Sequence, residues 1–339
     1  MSSHMVLPNF QPYFSVYNWH ANLQSIILNH PDFYSWIYSN YIQLYMDIRP
    51  EKTFADFYLN NGLIHTPSCP FVEQNSISRE IVKRVSCLIS FLIECIREGN
   101  YIYVLADISK ISTYSLNTNK NHEIFIYGFD INQKQFYVAD YVKGKYIQYT
   151  ASFTEVEEAI NEMDNTKSDH LPHIEMWRFL PKSNYSFDII HVRNQLYEYV
   201  NCINSSDKYR QNAMPYSFRV YGLRVFDIIL NHVQNVKNLN VQLDRRIFHL
   251  LYLRCKIMCR RLEFMVNCGL INNVSDYCDS YLTLTKFVEI NSNLALKYQQ
   301  TKNESLIFTI QSNVQKIYVE DGKLSEKLLH IINRMMYFS

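Results

Sequence analysis

The sequence predicts an α+β chain: a first domain over residues 6–182 that combines helices with an antiparallel sheet, and a mostly helical domain over 183–339. Three observations carry this. Four aromatic and β-branched segments follow one another between 101 and 150, separated by Asn, Lys and Gly turns. Helical patterns stand on both sides of them. Beyond about 185 helical periodicity is nearly continuous.

Taken in order, the opening MSSHM resembles the scar of an expression tag and is set aside. SVYNWHANLQSIIL (15–28) reads as the entry to a buried helix, and FYSWIYSNYIQLYM (33–46) is a second aromatic segment. SISREIVKRVSCLISFLIECIREG (76–99) reads as one helix. Ser78 is its cap, Ile81, Val85, Leu88, Ile89, Leu92 and Ile96 are its apolar stripe, and Gly99 is its stop. Strands are expected at 101–107, 122–130, 135–142 and 145–150. Ser152 and Glu155 form a capping box that opens a helix inserted before a last strand at 173–181. A composition shift at PKSNYS (181–186) marks the domain boundary.

Composition narrows the chemistry. Apolar residues make up 47% and charged residues 19%, a globular balance. Seven glycines and the absence of G-x-G-x-x-G argue against a phosphate-cradling loop. A net charge of +1 offers no global attraction to nucleic acid or anionic membrane, and no apolar run is long enough to span a bilayer. Eight scattered cysteines and no secretory signal suggest free thiols in the cytoplasm. Cys255 and Cys259 are spaced i,i+4 on a helix but lack a second ligand pair, so packing is expected there and no metal.

His122 and Asp140 are the candidates for chemistry. A hairpin turning about Ile131 would set them directly opposite each other, so that the carboxylate accepts an imidazole N–H. This fixes the tautomer and frees the other nitrogen as base or acid. A two-residue turn at Asn132–Gln133 would shift the register and undo the pairing. A nucleophile at the start of an N-terminal helix, a His on a strand and an Asp on the next is the papain-like order.

The segment NHEIFIYGFDINQKQFYVADYVKGKYIQYTASFTEVEEAI (121–160) resembles the His–Asp half of the butirosin-biosynthesis protein H N-terminal family. That family comprises papain-like acyltransferases of specialised-metabolite pathways, and relatives in nonribosomal pathways form amide bonds from carrier-bound thioesters. The resemblance runs from roughly residue 8 to 180. It implies a papain-like first domain, His122 and Asp140 as catalytic residues, and a cysteine five positions before a leucine. Counting back from Leu23 gives Asn18, and a one-residue slip gives Trp19; neither is a thiol. Gln11 is the candidate oxyanion-hole donor. His20 and Trp19 are candidate substrate contacts, and Cys69 is the nearest cysteine, though not at a helix start.

No directly bound cofactor is implied. The expected handle is the phosphopantetheine arm of an acyl- or peptidyl-carrier protein, and the co-substrate a small amine acceptor. Further along, Arg254 and Arg261 fall within the apolar stripe of Leu243, Ile247, Leu250, Met258 and Met265. Arginines there need an anion, either an internal carboxylate or the phosphodiester of that arm. Arg245, Arg246, Lys256 and Arg260 form a solvated basic face that could dock an acidic carrier. Three functions remain open: a thioester-using transferase, with His122 as base if transfer is direct; a pseudoenzyme that binds a carrier or paralogue; or an unrelated helical interaction protein.

Overall fold

The computed structural model describes residues 2–14, 16–49, 54–59, 68–163, 172–211, 214–239, 243–272 and 275–338. Up to the sheet core the elements are β1 (His4–Val6), α1 (Asn18–Ile27), α2 (Phe33–Asn40), β2 (Leu44–Asp47), β3 (Ala55–Phe57), β4 (Val72–Ser78), α3 (Arg79–Val85) and α4 (Leu88–Arg97). Then follow β5 (Asn100–Asp107), β6 (Asn121–Asp130), β7 (Gln135–Val142), β8 (Lys145–Ser152), α5 (Phe153–Asn161) and β9 (His173–Phe179). The remainder is α6 (Ile189–Val200), β10 (Arg219–Tyr221), α7 (Val225–Leu239), α8 (Arg245–Asn267), α9 (Ser275–Thr301) and α10 (Ser305–Phe338).

The chain is α+β and divides into two compact units, Met1–Phe33 with Ile64–Asn184 and Tyr34–Leu63 with Tyr185–Ser339. The boundary expected at 182/183 falls at 184/185. Residues 34–63, expected in the first domain, group with the later part of the chain.

In the first unit an antiparallel sheet runs β4–β9–β5–β6–β7–β8, with β1 also paired to β6. The expected strands at 101–107, 122–130, 135–142, 145–150 and 173–181 are all present within two residues. The Ser152–Glu155 capping box is formed in both directions, which starts α5 where the sequence places it. β5 and β6 are buried along most of their length, because both faces are covered. α1 covers one face: Asn22 accepts a hydrogen bond from Tyr146, whose partner across the ladder is Tyr141. α5 covers the other, where Phe153 packs on Phe136 with ring centroids 4.7 Å apart.

Two local expectations are corrected. The helix read over 76–99 is broken at Ser86 and Cys87, both extended, so its stripe changes phase. Ile81 and Val85 are 52% and 71% exposed, while Leu92 and Ile96 are buried. The β-branched Ile81, Val82 and Val85 followed by Ser and Cys are poor helix formers, and the chain restarts at Leu88. The set-aside opening is also structural. His4–Val6 pairs with Gly128–Asp130, continuing the edge of β6 that β5 leaves free.

The β6–β7 hairpin turns through 131–134 with Asp130 opposite Gln135, not about Ile131 as expected. The pairing then shifts by one residue between Ile126 and Gly128, leaving Tyr127 as the extra residue of a bulge. A glycine is required beside it. A Cβ at Gly128 would lie 2.8 Å from Met5 O and 3.1 Å from Tyr137 Cδ2.

In the second unit α6–α10 accompany a short antiparallel sheet, β10–β2–β3. Its buried polar centre is Arg254, which pairs with Asp321, donates from Nε to Ile42 O (3.1 Å) and lies 3.7 Å over the Tyr199 ring. Tyr199 donates its hydroxyl hydrogen to the same aspartate. Arg261 donates to Tyr38 O (2.6 Å) and Tyr41 O (2.8 Å), capping the last turn of α2. These bonds, with the β2–β10 pairing, bind segment 34–63 to this unit. The expectation that Arg254 and Arg261 hold a substrate anion is thereby corrected: both are at most 1% exposed and committed inside the core. The solvated face is as expected, with Arg245, Arg246, Lys256 and Arg260 exposed on α8.

Two outcomes test this account by urea unfolding. Gly128→Ala should lower stability by about 1–3 kcal/mol, because neither Met5 O nor the Tyr137 ring can move freely. Arg254→Met should cost about 3–5 kcal/mol by orphaning Asp321, and the double change Arg254→Met, Asp321→Leu should recover most of it. Equal losses in the single and double variants would contradict the pairing.

Candidate functional site

α1 begins after Tyr17, an extended residue that gives no side-chain cap, and Asn18 is its first residue. The count back from Leu23 therefore lands on a helix start. Asn18 is 4% exposed, and its carboxamide is saturated. Nδ2 donates to Glu123 O (3.3 Å) and Glu123 Oε2 (3.1 Å). Oδ1 accepts from the Trp19 N–H (2.9 Å) and the Tyr103 hydroxyl (3.4 Å). Two donors and two lone pairs are thus all used, a pattern that a thiol cannot reproduce.

His122 and Asp140 come together, but not as a directly opposed pair. The β6–β7 pairs end at Phe125–Ala139, and beyond them the register would set His122 opposite Val142. Asp140 is the diagonal neighbour on the same face, close enough for contact. His122 Nδ1–H is shared between Asp140 Oδ2 and Glu123 O, each 3.0 Å away. The other nitrogen, Nε2, faces away from the carboxylate.

Asp140 is fully buried. Its Oδ2 also accepts from the Tyr114 hydroxyl, which in turn accepts from the Tyr149 hydroxyl at 3.0 Å. Oδ1 is buried without a partner among the described residues.

Burial opposes charge on His122, but the hydrogen bond and charge of Asp140 prevail, helped by the charge and carbonyl of Glu123. Its pKa is raised to about 9. At neutral pH the ring is an imidazolium. It is the cationic half of an ion pair, not a ready base.

By strand alternation His122 and Asp140 belong to the face under α5, whereas Glu123 and Tyr103 belong to the face under α1. Asn18 and His122 approach from opposite faces and meet at the Glu123 carbonyl oxygen, just past the last β6–β7 pair.

The side chains of the other expected residues make no hydrogen bond to this group among those described. Trp19 is half-buried and stacks on Tyr17, with centroids 4.6 Å apart. His20 is buried inside α1. Gln11 is exposed, with no hydrogen bond to the Asn18–His122 group among the described residues. Burial pushes the Cys69 thiol far up, which disqualifies it as a nucleophile. Cys255 and Cys259 are buried on α8, and no group of three or more His, Cys, Asp or Glu side chains suited to a metal occurs among the described residues.

Sequence reasoning missed Glu123, Tyr103, Tyr114 and Tyr149. Adjacency to His122 pointed at Glu123, whereas Tyr114 sits at the end of two short 3₁₀ turns with no local signal. It also missed Cys87, an exposed thiol at the N-cap of α4, whose pKa is lowered by the Ser90 and Ile89 backbone N–H groups. No protein-family profile and no curated protein matches the chain. No helix among the described residues is long and apolar enough to cross a membrane.

The raised His122 pKa sets a pH dependence. The folded value of about 9 exceeds the ordinary 6.5, so the stabilisation is complete below pH 6.5 and is lost as pH rises through 9. Titration of the His122 ring by NMR should give the high value directly. Asp140→Asn should lower it by roughly 1–3 pH units. A His122 that titrates normally in both proteins would refute the pairing.

Proposed function

We propose that the first unit is a papain-like acyl- or peptidyl-transferase-type domain of secondary-metabolite biosynthesis that engages a carrier-bound thioester without forming an acyl-enzyme. On this reading it is a pseudoenzyme that binds its carrier protein or an active paralogue. The observation that carries it is Asn18: a hydrogen-bond-saturated carboxamide at a helix start, one carbonyl away from a charged His–Asp pair. The chain order of helix start, His and Asp supports the same reading, as does the resemblance over 121–160. An imidazolium is what a papain-like site keeps beside a thiolate. Here the thiolate's place holds a neutral amide.

Restoring the thiol tests this. In Asn18→Cys, a thiolate at 18 should attack an acyl-N-acetylcysteamine thioester, release N-acetylcysteamine and carry the acyl group as a new thioester, seen as added mass at residue 18. The reaction should depend on His122 and exceed labelling at Cys87, the most activated native thiol among those described. The unchanged protein should gain no acyl group. Acylation of Asn18→Cys no faster than at Cys87, or unaffected by His122→Ala, would sink the papain-like reading.

A second reading, direct transfer to an amine with His122 as base, is favoured by the Asp140 contact through Nδ1, which leaves Nε2 on the other side of the ring. It predicts amide formation by the unchanged protein that rises with pH through about 9. A flat profile, or none, leaves the binding role.

A further inference from the structure

Within the second unit, α6 and the 205–209 turn form one wall of a small half-open pocket of about 50 Å³. The wall is polar where a core is normally apolar. Gln195, Glu198 and Ser205 line it at 4%, 5% and 2% exposure. Most of their hydrogen-bonding capacity is used internally. Glu198 Oε2 accepts from Ser205 Oγ (2.6 Å), and Ser205 Oγ accepts from Gln43 Nε2 (2.9 Å). Glu198 Oε1 meets the ammonium of Lys208, which reaches in from a half-exposed position.

Gln195 is the exception. Its Nε2 donates to Ser39 O (2.7 Å), while its Oε1 is buried with no partner among the described residues. A residue that lines the pocket thus carries a buried acceptor in need of a donor. The remaining wall adds acceptors. Burial lowers the His191 pKa and Lys208 reinforces this, against the carboxylates of Asp188 and Glu198, so the ring is neutral and keeps a lone pair. Tyr58 and Tyr209 contribute aromatic surface of the kind that attracts cations.

We propose that this pocket binds a primary ammonium group on a short chain, with Gln195 Oε1 and the Glu198 carboxylate as its acceptors. A water molecule occupies about 30 Å³ in the liquid, so the enclosed part takes a head group of only a few heavy atoms. The half-open side lets a chain trail outward. Lys208 already places one ammonium against Glu198, which makes it an internal competitor for the ligand. The pocket lies wholly within the second unit and owes nothing to the His122–Asp140 pair.

The experiment is calorimetric titration of the full chain with ethylammonium chloride at constant ionic strength. Tetramethylammonium, which has charge but no N–H, and ethanol, which has a donor but no charge, are the controls. Saturable binding of ethylammonium alone is expected. Lys208→Met, a change at a half-exposed side chain, should tighten it by removing the competitor. Gln195→Met should weaken it at least about ten-fold. No saturable heat in either the unchanged protein or Lys208→Met means that the pocket holds water only, and overturns the proposal. Equal binding of tetramethylammonium or ethanol, or an affinity unmoved by Lys208→Met, overturns it as well.

Discussion

Between Ile126 and Gly128 the β6 strand carries one residue more than β7 opposite it, and the placing of His122 and Asp140 on one face follows from that residue. Side chains alternate faces with a period of two, so one extra residue exchanges the faces of all that follow. The turn alone, with Asp130 opposite Gln135, would set His122 against Lys143 and turn Asp140 to the far side of the sheet. The bulge restores the parity and brings Asp140 to the diagonal beside His122. Gly128 is the condition for it, because β1 crosses too close for a Cβ. The short strand His4–Val6 is therefore linked to the site through backbone geometry, without touching it.

Both units handle a buried carboxylate in the same way. Asp140 and Asp321 are each at most 1% exposed, and each takes one cation and one tyrosine hydroxyl. A buried carboxylate without such partners would be protonated or would unfold its surroundings. The difference lies in the cation. Arg254 is permanently charged, and its role is to fix the structure. His122 is titratable, and Asp140 holds it charged until about pH 9. The same construction gives a structural core in one unit and a pH-responsive group in the other.

What was legible in the sequence was local. The strand segments and the Ser152–Glu155 box were readable because neighbouring residues determine them, and the helices after 185 because their periodicity is long. Beyond one local misreading, what was not legible depended on partners distant in sequence. Ile81 and Val85 fit a helical stripe by spacing, but the weak local propensity of the β-branched residues and of Ser86 and Cys87 outweighs that stripe and the helix breaks. Register depended on a bulge set by a strand more than 120 residues earlier, His4 against Asp130. Arg254 and Arg261 were rightly seen to need partners. The partners proved to be Asp321 and the end of α2, which only the folded chain reveals. His122 and Asp140 were found by a register that was wrong in detail, and their contact survives because a diagonal neighbour is as reachable as an opposed one.

Asn18 joins these strands of reasoning. A catalytic thiolate must be left partly free, so its position contributes little to holding a helix against a sheet. Asn18 does the reverse. It ties the first turn of α1 to Glu123 on β6 and to Tyr103 on β5, and it supplies a local cap in a helix whose Tyr17 gives none. Those bonds fix the α1 entry beside the Glu123 carbonyl that His122 shares. With the amide in place, the anions that the charge on His122 meets among the described residues are Asp140 and Glu123, both of which belong to the fold. Position 18 thus contributes cohesion to the fold, and beside it stands an imidazole held charged by Asp140 and Glu123.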